Sequence, residues 1–237
     1  GAGVWAHQKW NDVRQAPGDQ KYVVVNGDES EPSTFKDREI LRRVPHVLLE
    51  GVILAGLVTG AKQGYVYIRH EYHEQIDAVR EAIRRAEELG VCGSNVLGTG
   101  RSFPIEVFVS PGGYICGEQS ALIEAMEGKR SEPRNKPPLL ETNGLHDRPT
   151  LLSNVETFAW VPSIAVRGGE WYRDQGVNGH KGARFYSICG DLNRPGPFEV
   201  PNGLTLRSLI DDYAGGMKGG EIRAFAPSGP SGGFLPR

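Results

Sequence analysis

The succession of buried strands and helices through the first half of the chain decides its fold class. Lys21-Tyr22-Val23-Val24-Val25 is a β-branched and aromatic run ending in the polar turn Asn26-Gly27-Asp28, the pattern of a buried strand that delivers its C-terminal end into a loop. The segment from His46 to Gly60, HVLLEGVILAGLVTG, reads as a largely buried helix, and Gly64-Tyr65-Val66-Tyr67-Ile68 as the next strand. From His73 to Leu89 the apolar residues Ile76, Val79, Ile83 and Ala86 recur at helical spacing among charges, an amphipathic helix. Ile105-Glu106-Val107-Phe108-Val109 is a further strand. Strand, helix, strand, helix is the α/β order.

Beyond the turn Pro111-Gly112-Gly113, residues Gly117 to Gly128 carry helix formers with apolar periodicity, and the Pro-rich stretch from Glu132 to Leu140 breaks regular structure and predicts an extended surface arm. Ser153-Asn154-Val155-Glu156 has Ser three residues before Glu, the form of a helix start, and leads into an apolar helix to about Val166. From Ala183 the texture changes to short strands at 184–188, 196–200 and 222–226 with a helix from Thr205 to Tyr213. The Gly-rich, hydrophilic segment 168–182 is the expected boundary. The expectation is an α/β domain over 1–167 and a small β-grasp-like α+β module over 183–237, which suits 237 residues.

Composition narrows the function classes. Lys+Arg 27 against Asp+Glu 29 leaves a formal charge of -2 and no reason to expect nucleic acid. The three cysteines, Cys92, Cys116 and Cys189, include no C-x-x-C pair, so this stretch alone is not expected to ligate a four-cysteine cluster or any other metal. Sparse cysteine suggests a reducing compartment, and no apolar run reaches the roughly 18 to 20 residues of a membrane span; the expectation is a cytoplasmic protein without a direct membrane span. Gly 32 and Pro 16 cluster in loops, as they do where backbone must approach a ligand closely.

Three polar, glycine-rich constellations carry the candidate chemistry, and none is a G-x-G-x-x-G or P-loop fingerprint. Asn26-Gly27-Asp28-Glu29-Ser30-Glu31-Pro32 places amide and carboxylate acceptors at a strand end, suited to a flavin's pyrimidine edge or ribityl hydroxyls; read alone it is also ordinary acidic-turn chemistry. Pro111 to Gln119, PGGYICGEQ, is a glycine-rich helix entry whose backbone N–H groups suit an anion or a flavin carbonyl, with Glu118 favoured by the helix dipole. Cys116 lacks a positioned His in the local sequence and reads as a small packing residue. Leu152 to Thr157, LSNVET, is a helix cap that could also reach a phosphate.

Taken in order, GAG at Gly1 to Gly3, KW at Lys9-Trp10, NGDESEPSTFKDR at 26–38, GGYICGEQSAL at 112–122, KPP at 136–138 and SNVET at 153–157 resemble the signature blocks of the flavoprotein subunit of respiratory complex I. That family also covers the diaphorase subunits of soluble NAD-linked hydrogenases and formate dehydrogenases. The run NRPGPFEVPNGLTLRSLI at 193–210 resembles the soluble-ligand-binding β-grasp (SLBB) module that follows the flavin domain there. The resemblance implies an FMN-dependent NADH dehydrogenase subunit within a larger complex, with hydride transfer from NADH to FMN and onward one-electron transfer to iron-sulfur clusters. It also implies a 2Fe-2S thioredoxin-like partner subunit, other iron-sulfur subunits, and a location in the cytoplasm or on the cytoplasmic face of the membrane. By resemblance Gly1, Gly3 and Lys9 lie beside the FMN phosphate and ring, while Asn26, Asp28 and Glu29 hold the flavin. Tyr114, Gly117 and Glu118 line the same cavity, Asn154 and Thr157 contact the phosphate end, and Glu31 and Lys136 match positions associated with NAD(H). No catalytic acid or base is implied.

The chain also departs from the family pattern. It begins inside the GRGGAGF phosphate loop, and the family's C-terminal 4Fe-4S domain is absent from this chain. Val4 stands where GAGF has Phe, Asp12 follows the KW block, and Leu139 follows KPP where Phe is usual. These departures imply weaker stacking on the adenine of NADH. Gln119 replaces a second Glu. The pattern leaves two alternatives to the complex I reading, a diaphorase subunit and a scaffold paralogue with an impaired NADH pocket.

Overall fold

Residues 4–236 are described in this computed structural model of the protein. They fall into two compact units, Gly1–Glu29 with Ile40–Pro162, and Ser30–Glu39 with Ser163–Arg237. The chain thus crosses between units at residues 29–30, 39–40 and 162–163, and segment 30–39 belongs with the C-terminal unit instead of the domain drawn over 1–167 from sequence. The last crossing falls at Pro162, inside a helix, where proline removes a backbone hydrogen bond.

The first unit is built on a parallel four-stranded sheet in the order β3-β2-β1-β4, with β1 Tyr22–Gly27, β2 Gln63–Arg69, β3 Ile105–Ser110 and β4 Thr150–Asn154. The Val-rich run of β1 is fully buried, as a strand covered on both faces must be. Each such valine contributes about 1.5 to 3 kcal/mol of transfer free energy. Val24, Tyr67, Leu152 and Cys116 share one core cluster with Leu122, Ile123 and Leu140, so Cys116 is the packing residue its sequence context predicts.

Helices join the strands. The chain passes from β1 to β2 through α2, Lys36–Arg43, and α3, Pro45–Thr59, from β2 to β3 through α4, His73–Glu88, and from β3 to β4 through α5, Gln119–Met126, and α6, Leu140–Asn143. Pro45 opens α3 and Gly60 closes it in the left-handed region, the usual asymmetry of helix ends. Midway, a Cβ on Gly51 would stand 2.0 Å from the Phe158 carbonyl oxygen, so only glycine lets α3 approach α7, Val155–Arg167. On α4 the stripe Ile76, Val79, Ile83 and Ala86 is buried, as its periodicity predicts.

In the first unit two elements differ from the sequence expectation. The helix α1, Ala6–Gln15, buries only Lys9 and Val13, so it shows no apolar stripe to read. Its C-terminal end is held by Lys21, whose Nζ donates to the Val13 and Arg14 carbonyls, each at 2.8 Å. The segment read as the start of α7 is instead strand β4 as far as Asn154, and the cap is Asn154, whose side-chain oxygen accepts from the Glu156 N–H at 3.0 Å. Ser153 is buried in the sheet; its spacing to Glu156 imitates a capping box.

The second unit holds the short helix α8, Gly169–Arg173, and an antiparallel pair, β5 Ala183–Ile188 with β6 Gly196–Pro201. It continues through α9, Leu206–Ser208, which runs into a turn of wider helix at Leu209–Tyr213, to a second pair, β7 Ala224–Phe225 with β8 Leu235–Pro236. Its small core gathers Leu192, Ile210 and Ala214. The strand read at 222–226 is confined to Ala224–Phe225. Among the described residues no helix is long and apolar enough to cross a membrane.

Candidate functional site

In the order β3-β2-β1-β4 the connections leave β1 in opposite directions, so the crevice beyond the carboxyl ends of β1 and β4 is the topological switch point, where open α/β sheets bind ligands. Register puts Asn26 directly beside Asn154 there. The Asn154 side-chain amide donates to the Asn26 carbonyl at 3.2 Å, and the Asn26 amide donates to the Gly117 carbonyl at 2.9 Å. Two of the three constellations therefore meet at the strand ends, and the glycine-rich entry to α5 is tied to them.

Asp28, two residues on, is 1% exposed. Its N–H donates to the Asn26 side-chain oxygen at 3.2 Å, and its Oδ1 lies 3.1 Å from Ser110 Oγ. Glu29 is half-buried and its carbonyl accepts from the Tyr72 hydroxyl at 2.6 Å. Across from Asp28, Gly112 and Gly113 take φ of 93° and 110°, and a Cβ on Gly117 would stand 3.9 Å from Asp28 Oδ2, closing the space beside the carboxylate. Tyr114 on the intervening 3-10 turn is exposed.

Glu118 is the N-cap of α5. Its Oε2 accepts from the Ser120 and Ala121 N–H groups at 2.8 and 2.9 Å and from the Ser120 hydroxyl at 2.5 Å. Its Oε1 takes the Lys136 ammonium at 3.3 Å. Burial pushes the Glu118 carboxyl up, but these donors together outweigh it and leave the pKa below its ordinary value. Lys136 is carried by the Pro-rich arm, which is pinned two residues earlier by Arg134. That guanidinium bonds Glu124 and the Asn143 and Gly144 carbonyls.

Lys9, on α1, is 7% exposed, and its Nζ donates to Gln119 Oε1 at 2.9 Å and to the Leu152 carbonyl at 3.2 Å. Burial pushes its pKa down. A buried ammonium has three donors, and among the described residues its hydrogen-bond partners are two and both neutral. Of the nearby charges, the Glu141 carboxylate favours the ammonium and Lys136 opposes it, with burial the larger effect, so a further anion within reach would stabilise the charge. Thr157 lies half-buried on the first turn of α7. Gly1 and Gly3 lie outside the described residues. Glu31 belongs to the second unit, where its carboxylate accepts from the Ser231 N–H at 3.0 Å and the Ser231 hydroxyl at 2.6 Å.

A separate open cleft of about 550 Å³ lies along α1 and the Pro-rich arm, lined by Asp12, Gln15, Pro137, Pro138, Leu139 and Glu141 among others. Asp12 and Leu139, two of the sequence departures, meet in it, and no aromatic ring lines it among the described residues. Sequence reasoning did not find the cleft, nor Ser110 and Tyr67 beneath Asp28; Tyr67 lies in a run read as a strand, and Ser110 falls one residue beyond the strand read at 105–109.

A parallel sheet with a polar switch point, a glycine-rich helix entry and a buried lysine is the architecture of an α/β protein with a ligand crevice at its strand ends. The match of residues 1–163 to the Nuo51 FMN-binding domain makes the class particular: the chain belongs to that family. It is 43% identical over its whole length to an NADH-quinone oxidoreductase subunit of Rhizobium meliloti, of which it covers 56%. It is 41% identical over 99% of its length to the NADP-reducing hydrogenase subunit HndC of Solidesulfovibrio fructosivorans, covering 48% of that protein. Among solved structures, the crystal structure of an NAD+-reducing [NiFe]-hydrogenase in the air-oxidized state superposes with a TM-score of 0.88 at 35% identity, over 100% of this chain and 39% of the other. The chain spans about half the length of the curated relatives it matches.

Proposed function

We propose that the protein is the electron-input flavoprotein subunit of an NADH dehydrogenase of the NADH:quinone oxidoreductase type, and that the switch point of its sheet holds FMN. The observation that carries the reading is Lys9, buried with two neutral partners beside the paired Asn26 and Asn154. The residues fit a flavin. Lys9 supplies the charge that the phosphate or an electron-rich ring requires. Asn26, Asp28 and Glu29 supply fixed polar groups for the ring and ribityl chain, Asn154 and Thr157 are assigned to the phosphate end, and Gly1 and Gly3 are assigned to the phosphate loop by resemblance. Tyr114, Gly117 and Glu118 form the opposite wall. When bound, FMN accepts a hydride from NADH and passes electrons on singly. The chain's residues bind and orient; none is needed as an acid or base for the hydride.

Glu31 and Lys136 are assigned to NAD(H), with Lys136 held at Glu118 until a nucleotide phosphate competes for it. The second unit, over 183–237, is proposed to be the SLBB-type β-grasp module, and the 4Fe-4S centre to be ligated outside this chain. Partners are a 2Fe-2S thioredoxin-like subunit and further iron-sulfur subunits, with the assembly in the cytoplasm or on the cytoplasmic face of the membrane. The likeness to HndC and to the NAD+-reducing hydrogenase supports a second reading, the diaphorase subunit of a soluble hydrogenase or formate dehydrogenase, in which these residues keep the same roles.

The test is an anaerobic visible spectrum of the full-length protein with FMN, before and after NADH. Bleaching of the bound flavin is expected. Bound flavin that NADH leaves oxidised points to a paralogue with an impaired NADH pocket, and no bound flavin overturns the reading.

A further inference from the structure

Two buried polar side chains stand behind Asp28 that the flavin reading does not use. Tyr67, on β2, is fully buried and stacks on Phe108 of β3, with ring centroids 5.4 Å apart and planes 6° from parallel. Its hydroxyl is 2.9 Å from the Oγ of Ser110, the last residue of β3, which is itself 1% exposed and lies 3.1 Å from Asp28 Oδ1. The Gly112 N–H donates to the same Oγ at 3.0 Å.

Counting protons gives this chain one direction. A serine hydroxyl offers one hydrogen and two lone pairs, and a carboxylate only accepts. The Ser110 proton therefore goes to the Asp28 carboxylate, while the Gly112 N–H and the Tyr67 hydroxyl, which also has the Cys116 thiol as a neighbour, fill the two lone pairs. Burial raises the Tyr67 pKa well above its ordinary value, so the phenol keeps the proton it donates. With every valence used, the Ser110 hydroxyl has a single orientation, aimed at Asp28 Oδ1.

We propose that Tyr67 and Ser110 are positioning residues for the flavin, holding one oxygen of Asp28 so that its carboxylate meets the cofactor in one orientation and with one charge distribution. The proposal rests on the reading of Asp28 as a flavin contact. A network that merely satisfied a buried phenol would affect folding stability alone, whereas this one acts on the affinity and reduction potential of bound FMN. Its members sit on the central strand β2, at the end of the edge strand β3 and at the turn that carries Gly112, so they are set by the sheet before any ligand arrives.

Tyr67→Phe keeps the ring and its stacking and removes one O–H; Ser110→Ala removes the donor to Asp28; Ser110→Thr retains a hydroxyl; Asp28→Asn tests the underlying contact. Each is made in the full-length protein. FMN dissociation constants are measured by fluorescence titration of the flavin-free protein, the midpoint potential of bound FMN by anaerobic spectroelectrochemistry, and Tm alongside. Ser110→Ala is expected to weaken FMN about tenfold, as loss of a hydrogen bond to a charged group does, and Tyr67→Phe about threefold. Both should shift the midpoint, and Ser110→Thr should recover most of the affinity. Unchanged Kd and midpoint in Tyr67→Phe, whatever its Tm, overturn the proposal, and that variant decides alone if Ser110→Ala does not fold. If Asp28→Asn also binds FMN normally, the assignment of Asp28 fails and takes the proposal with it. A loss in Asp28→Asn with normal Tyr67→Phe leaves the flavin contact standing and removes only the positioning role.

Discussion

The ends of β1 and β4 and the cleft along α1 are both lined by candidate residues, but they are held in different ways. At the strand ends Asn26 and Asn154 are placed by the register of a buried parallel sheet with Asp28 just beyond, and the side chains bond the backbone of Asn26, Asp28 and Gly117 and the Ser110 hydroxyl. Along the cleft, Asp12 and Leu139 sit on a polar helix and a Pro-rich arm; Leu139 is 50% exposed, and the arm's attachment runs through Arg134. Substitution at the first place breaks a hydrogen-bonded network; at the second it changes a surface. Of the departures from the family pattern, Asp12 and Leu139 lie along the second, while Gln119 opens α5 and accepts from Lys9. Under the proposed assignment, the flavin residues are held by the sheet and the dinucleotide cleft by surface segments.

The largest effect that would sharpen this contrast is expected at Asp28. Asp28→Ala leaves a cavity at a 1% exposed position and removes the acceptor for the Ser110 hydroxyl. FMN affinity measured by titration should fall roughly tenfold to a hundredfold, the range for losing charged hydrogen bonds. A change of the same size from a substitution at Asp12 would break the distinction, because it would make the cleft part of the flavin site.

Glu118 stands where the two regions meet, since it caps α5 and also holds Lys136 of the arm. Glu118→Ala should lower folding stability by about 1 kcal/mol, the usual loss of an N-cap. Because the folded pKa lies below the ordinary value of 4.5, this contribution is fully present above that pH and is lost as pH falls through the lower, folded value. Melting curves from pH 7 downward should therefore show the variant and the unchanged protein converging in acid. Glu118→Gln, which keeps a capping oxygen, should lose less and vary less with pH. Parallel curves down to pH 2 would mean that the carboxylate charge plays no part in the cap.

How much of this could be read in the residues follows the same division. The Val-rich run of β1 and the stripe of α4 were legible because burial on one face or both imposes a period on the sequence. The helix α1 was not, since its buried positions are Lys9 and Val13 and the rest is polar. Lys9 entered the candidate site through resemblance alone. Strand β4 was hidden because Ser153 precedes Glu156 at capping-box spacing, while the acceptor that caps α7 is Asn154. The contact of Tyr67 with Ser110 was hidden because it depends on β2 and β3 being neighbours in register, with Arg69 beside Ser110 and Tyr67 beside Phe108. Pairing between strands is a tertiary fact that no local pattern contains.

The smallest expected effect lies in the cleft. Leu139 is half-exposed at its rim, beside Pro138 and across a space of about 550 Å³ that no ring lines among the described residues. Leu139→Phe adds a flat face without removing any hydrogen bond, since the Thr142 N–H and hydroxyl both bond the Leu139 carbonyl and not its side chain. If the adenine of NADH lies here, the new ring should tighten NADH binding by about 0.5 to 1.5 kcal/mol, roughly twofold to tenfold, while FMN affinity stays as it was. That pairing is what the contrast requires. A tighter FMN complex would show that the arm reaches the flavin half as well. An unmoved NADH dissociation constant would show that the absent ring is not what limits NADH binding, and would shift attention to Gln119, the neutral amide that accepts from Lys9.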